Sequence, residues 1–171
     1  MLFTLDIGCG SGYYQQQSKT RGTINTDILK PKSKIKNFVL CDAHNLPFKE
    51  SSFELIFFID VIEHVENPSQ CLREIKRVMK QKVFIVTPNA FFYPKIIRTL
   101  IKKSYIVYPD HILTFGIPEF TQLLNRIGFK KIIVEPTTID KTPLKKYFKI
   151  INTFIPKQFK ERQLLAIVEG K

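Results

Sequence analysis

Three glycines at alternating positions, Gly8, Gly10 and Gly12, follow a short apolar run and precede the segment that starts at Tyr13. Glycine allows a tight turn and close approach of backbone N–H groups to a ligand, and a helix beginning there adds free amides. Asp6 stands just ahead of the loop, and Asp27 ends the next apolar run. An acid about 20 residues beyond a glycine loop is where ribose hydroxyls are bound. Asp42 ends the run after that. Singly, Asp27 or Asp42 also reads as a strand-end turn residue; in succession with the loop they point to a nucleoside. The G-x-G-x-G spacing differs from the G-x-G-x-x-G of dinucleotide enzymes, and no Gly-Lys-Ser/Thr follows, so a nicotinamide cofactor and a P-loop are both disfavoured. His64 and His111 are candidate bases, with capping or packing as the alternative for His64. Asp110 precedes His111. Cys9, Cys41 and Cys71 are far apart with no C-x-x-C pair, so neither a disulfide framework nor a metal site is predicted.

The elements that must position these groups alternate between strand and helix. Apolar runs predict strands at 2–7, 23–28, 37–41, 53–59, 82–87, 129–135 and 164–169. Apolar residues at three-to-four spacing predict helices at 68–79, with Cys71, Leu72, Ile75, Val78 and Met79 inward, and at 118–127, stopped by Gly128. Two further stripes, 93–105 and 144–155, carry lysines beside their apolar faces. Such alternation predicts an α/β fold.

The motifs then resemble one family. Leu5-Asp6-Ile7-Gly8-Cys9-Gly10-Ser11-Gly12 is similar to the first motif of class I S-adenosylmethionine (SAM) methyltransferases. Cys41-Asp42-Ala43-His44-Asn45-Leu46-Pro47-Phe48 resembles their D-A-x-x-L-P-F segment, and Ser52-Phe53-Glu54-Leu55-Ile56 their S-F-D-x-V. Asp60-Val61-Ile62-Glu63-His64-Val65 resembles V-L-E-H-V, and residues 72–80 the L-x-E-x-x-R-V-L-K helix. Order and spacing hold from residue 2 to about 90 and point to the type-11 group, which includes ubiquinone and menaquinone biosynthesis enzymes. The resemblance implies a doubly wound, Rossmann-like, mostly parallel seven-stranded sheet with an antiparallel last strand. It implies that Gly8, Gly10 and Gly12 pack against the methionine part of SAM and that Asp6 orients its amino end. Asp27 would accept from the ribose, and Asp42 from the adenine amino group. Ala43 and Leu46 would be apolar walls, and Phe58 and Ile59 would line the sulfonium.

This sequence departs from the family in two places. Lys80-Gln81-Lys82 stands where relatives carry a glycine pair, predicting a stiffer turn. Relatives also carry helices ahead of the first strand, whereas this sequence starts at the strand. Either the start is short, or another element or subunit, such as a second copy of the chain, covers the site.

The sequence has 171 residues and a formal charge of +12, with 44% hydrophobic residues, enough for a core. Residues 1–90 hold 12 basic and 9 acidic residues; residues 91–171 hold 15 and 6. The reading is a single methyltransferase domain over 1–171, with a SAM-binding half at 1–90 and an acceptor-side half at 91–171. The basic amphipathic segments 93–105 and 141–162 suit an anionic membrane surface or RNA, or pack on the core with solvated lysines. No run approaches the ~18 apolar residues of a membrane span. A cytoplasmic protein is expected, peripheral at most at a membrane. No N/D-P-P-Y loop and no Pro-Cys nucleophile is present. The expected function is therefore SAM-dependent methyl transfer to a small-molecule or lipid-like O- or C-nucleophile. An RNA methyltransferase and a non-catalytic or partner-dependent subunit are the alternatives.

Overall fold

A computed structural model of the chain describes residues 3–11, 23–102, 110–137 and 156–170. Gly12, the helix expected from Tyr13, and the stripe at 144–155 lie outside these residues. Among the described residues there are seven strands: β1 (Thr4–Ile7), β2 (Thr23–Asp27), β3 (Phe38–Leu40), β4 (Phe53–Ile59), β5 (Met79–Pro88), β6 (Lys130–Thr137) and β7 (Gln163–Glu169). They form one sheet in the order β3-β2-β1-β4-β5-β7-β6. Pairings from β3 across to β5 are parallel, and β7 lies antiparallel between β5 and β6. This is the predicted doubly wound α/β sheet with its antiparallel last strand. The chain works outward from β1 to β3 and then returns to β4 beside β1, which makes the β1/β4 boundary the switch point where ligands of such sheets bind.

Helices pack against the sheet for local reasons. In α1 (Pro68–Val78) the Gln70 N–H donates to Asn67 Oδ1 (3.0 Å), with Pro68 in the first turn. Cys71, Leu72, Ile75 and Val78 are buried in the core with Leu5, Ile56, Phe58, Val83 and Ile85 of the sheet. In α3 (Ile117–Ile127) Phe120 and Leu124 are buried, and Gly128 ends the helix in the left-handed region at φ 81°. The Lys76 ammonium donates to the Ile127 carbonyl (3.0 Å), joining the two helices. A short α4 (Lys157–Lys160) leads into β7.

One expectation, the stiffer turn at 80–82, is corrected here, and one left open, the packing of the 93–105 stripe, is decided for its described residues. Residues 80–82 form no turn: β5 starts at Met79, directly after α1, and a bulge opposite Phe53 to Leu55 takes up one residue. In α2 (Tyr93–Lys102) the apolar stripe does not pack on the core throughout. Tyr93 is buried, whereas Leu100 and Ile101 are 73% and 76% exposed.

The segment after β3 carries the expected adenine wall and is held by one side chain. The Arg77 guanidinium donates to the carbonyls of Phe48 (2.6 Å) and Leu46 (2.8 Å) and to both carboxylate oxygens of Glu74 (2.8 and 2.7 Å). Glu74 in turn accepts from the Leu46 N–H (2.9 Å). This closed fork ties the segment to α1, with Leu46 buried in the core. Arg77→Ala is expected to cost about 2 kcal/mol of stability in chemical denaturation, since it strips partners from two carbonyls and one carboxylate together.

Candidate active site

The loop after β1 turns on two left-handed glycines, Gly8 at φ 72° and Gly10 at φ 52°. A Cβ at Gly8 would overlap the Val61 side chain, so the loop packs directly on the segment leaving β4. At Gly10 a Cβ would meet no described atom within 4 Å. The Gly8 and Cys9 N–H groups donate to the Thr26 carbonyl (2.8 and 3.0 Å). The Gly10 N–H donates to Asp27 Oδ2 (2.9 Å), and the Leu29 N–H to Asp27 Oδ1 (2.9 Å). Asp27 therefore shapes the loop as well as standing beside it.

Asp6 is buried, and burial first, then the charge of Asp27, raises its pKa to about 6. Burial first, then the same two acids, push the Cys9 thiol up to about 11, away from the thiolate form. Asp42, at the end of β3, is exposed and accepts from the His44 N–H (2.9 Å) and sits 2.6 Å from His44 Nδ1. The His44 N–H is the main reason its carboxyl lies below the usual range. Sequence reasoning missed His44 as this partner; the D-x-H spacing of an Asx turn was the available signal. Ala43 is half-buried, and Leu46 is buried in the core. Phe58 is wholly buried, whereas Ile59, on the opposite face of β4, retains surface. Gly12 lies outside the described residues.

The two histidines come together. His64 lies in a turn over 62–64, with its N–H on the Val61 carbonyl (2.9 Å). Its Nδ1 lies 2.6 Å from the Asp110 carbonyl, and its ring meets that of His111 edge-on with centroids 4.8 Å apart. Residues 112–115 make no strand; Phe115 alone bridges Asn89, while the Ile112 and Leu113 N–H groups donate to the Glu63 carbonyl (2.9 and 3.1 Å). Burial first, then His64 and Lys95, hold His111 below the usual imidazole pKa. Between the histidines and the sheet sits Glu63, 1% exposed, its carboxyl pushed up to about 7 by burial. Thr87 Oγ1 donates to its Oε2 (3.1 Å), and Oε1 has no partner among the described residues. Asp60, also raised by burial, accepts from Gln163 Nε2 (3.0 Å). Glu63 was not singled out from sequence, although it lies inside the Asp60–Val65 motif.

The family model for the methyltransferase domain matches residues 5–87. An uncharacterized protein of Methanocaldococcus jannaschii is 30% identical over 180 residues, covering 98% of this chain and 77% of that protein. A probable tRNA methyltransferase 9B of Bos taurus is 32% identical over 80 residues, 44% of this chain and 18% of that protein. A SAM-dependent methyltransferase from Archaeoglobus fulgidus shares the fold at TM-score 0.70 and 22% identity, over 99% of this chain and 86% of that one. The chain belongs to the type-11 methyltransferase-domain family, and its cofactor is SAM.

Burying Asp6 has a sign that can be measured. Its folded pKa of about 6 exceeds the ordinary 3.8, so the folded state holds the proton more tightly. The stability is present below about pH 4 and is lost as pH rises through about 6. In the absence of cofactor, Asp6→Asn is expected to gain on the parent by roughly 3 kcal/mol between about pH 4 and pH 7.5, read by urea unfolding at both values.

Proposed function

We propose that residues 1–171 act as one methyltransferase domain, transferring the SAM methyl group to an oxygen or carbon nucleophile of a small or lipid-like acceptor. The observation that carries this reading is the meeting of two groups of residues at the β1/β4 boundary. Gly8, Gly10, Asp27 and Asp42 stand at the ends of β1, β2 and β3, and Val61 joins their loop to the turn that bears Glu63 and His64. No described atom stands within 4 Å of a Cβ at Gly10, which suits a ligand drawn close to the backbone there. Asp27 would accept from the ribose hydroxyls, Asp42 from the adenine amino group, and Asp6 would face the cofactor's cationic amino end. Ala43, Ile59 and Gly12 would complete the expected cofactor contacts, whereas Leu46 and Phe58, expected there too, are buried in the core. When bound, the cofactor supplies a methyl carbon on a sulfonium whose leaving group is a neutral thioether. The chain's own work is then to orient the acceptor, exclude water and remove a proton where the acceptor carries one. His64 and His111 would take that proton; in support, the Asp110 carbonyl accepts from Nδ1 of His64, leaving Nε2 as an acceptor.

An RNA acceptor remains the second reading, favoured by the partial match to tRNA methyltransferases and by the lysine-rich second half. No helix among the described residues is long and apolar enough to cross a membrane.

Calorimetry with SAM is expected to show one site. Asp27→Asn should weaken it by roughly tenfold or more, because the ribose and the Gly10 amide lose a charged acceptor together. Gly8→Ala should abolish it through the clash with Val61. Absence of binding by the unaltered chain would overturn the assignment. Incubating a cell extract with methyl-labelled SAM then sorts the acceptor: label in the solvent-extractable fraction supports the small or lipid-like acceptor, and nuclease-sensitive label the RNA reading.

A further inference from the structure

Glu63, His64 and His111 each offer one donor atom, and the three atoms lie within 4.8 Å of one another. A carboxylate and two imidazoles in that arrangement are the ligand set of a divalent transition ion, whose donors sit about 2.0–2.2 Å from the metal. Two independent features mark the cluster as built for a ligand. The first is Glu63: it is 1% exposed, its Oε2 is taken by the Thr87 hydroxyl, and its Oε1 is buried without a partner among the described residues. A buried carboxylate oxygen left without a partner is costly unless something supplies charge or a proton. The second is the orientation of His64, whose Nδ1 is 2.6 Å from the Asp110 carbonyl. Metal-bound histidines characteristically spend their other ring N–H on such a carbonyl, which fixes the tautomer and presents Nε2. Asp60, close enough to both histidines for their charges to act on its carboxyl, adds negative charge beside the cluster.

We propose that Glu63, His64 and His111 bind one divalent first-row transition ion at the ends of β4 and β5. Imidazole nitrogens select Mn2+, Fe2+, Co2+, Ni2+ or Zn2+ over Mg2+ and Ca2+, which prefer oxygen alone. Three protein ligands leave coordination positions open, and a hydroxyl or carboxylate oxygen of the acceptor is the donor class that fits them. This second part rests on the methyl-transfer reading and narrows it to oxygen-bearing acceptors. The cation site itself does not depend on that reading. With an ion bound, the histidines hold the metal in place of taking the acceptor proton directly.

The test uses the full chain stripped with a chelator and titrated with Co2+, read by visible absorption, with Zn2+ as competitor. One ion per chain with nitrogen and oxygen ligand-field bands is expected. Glu63→Gln, which keeps the shape and the Thr87 hydrogen bond, and His111→Ala should each weaken binding by roughly tenfold or more. Both variants should retain SAM binding by calorimetry, which shows them folded. The site is refuted by no saturable Co2+ or Zn2+ binding, by binding that both variants leave unchanged, or by thiolate charge-transfer bands from the cysteines. Because metal binding is read without SAM, its failure leaves the cofactor assignment standing, and failure of SAM binding leaves the metal result readable.

Discussion

The carboxylate of Asp27 holds the Gly10 and Leu29 N–H groups at once, and through it the end of β2 fixes the turn leaving β1. Much of the site depends on that contact. Gly10 reaches it only in the left-handed region, and Gly8 must lack a side chain to let Val61 pack beneath. The arrangement concentrates negative charge: Asp6 is buried within reach of the Asp27 charge, with a raised pKa as the result. A cationic ligand relieves that cost, and SAM carries positive charge at its sulfonium and amino groups. The fold therefore stores an electrostatic penalty at this edge, which in the proposed site the cofactor would offset on binding.

A parallel logic runs one strand further along. Glu63 is buried against Thr87 at the end of β5, while its backbone carbonyl accepts from Ile112 and Leu113 and so draws in the segment bearing His111. The strand order places this group beside the glycine loop rather than at a distant edge. Both clusters thus occupy the switch point of the sheet. The Arg77 fork fixes the segment between β3 and β4 that lies next to them.

The glycine loop and the strand-end acids were legible because their information is local: residue type, spacing and the apolar run that precedes them. Strand order followed from the family resemblance rather than from any run alone. What escaped was set by distant neighbours. Glu63 acquires its character from Thr87 and His111, far along the chain. Asp42 proved to be turned onto His44. The stripe on α2 has the period of a core helix, yet periodicity cannot say whether a face is covered, and Leu100 and Ile101 stay exposed. Phe58 and Ile59, adjacent in sequence, divide between the two faces of β4, so one is core and the other has surface to give.

The division of charge between the halves of the chain changes meaning in three dimensions. Lys130 and Lys131 begin β6, and Lys80 and Lys82 lie early in β5. All four stand at the edge where the parallel strands start, whereas the glycine loop lies where they end. Three are answered there by acids: Lys131 and Lys82 by Glu169 (3.1 and 3.5 Å), and Lys80 by Glu54 (3.5 Å). Exposed pairs of this kind contribute little to stability. They do remove these lysines from any count of groups beside the cofactor. A polyanion bound at that edge would be separated from the methyl-transfer edge by the length of the strands. In the proposed reading, an acceptor reaching the sulfonium would meet Glu63, His64 and His111, a polar cluster of mixed charge that can receive an oxygen-bearing group.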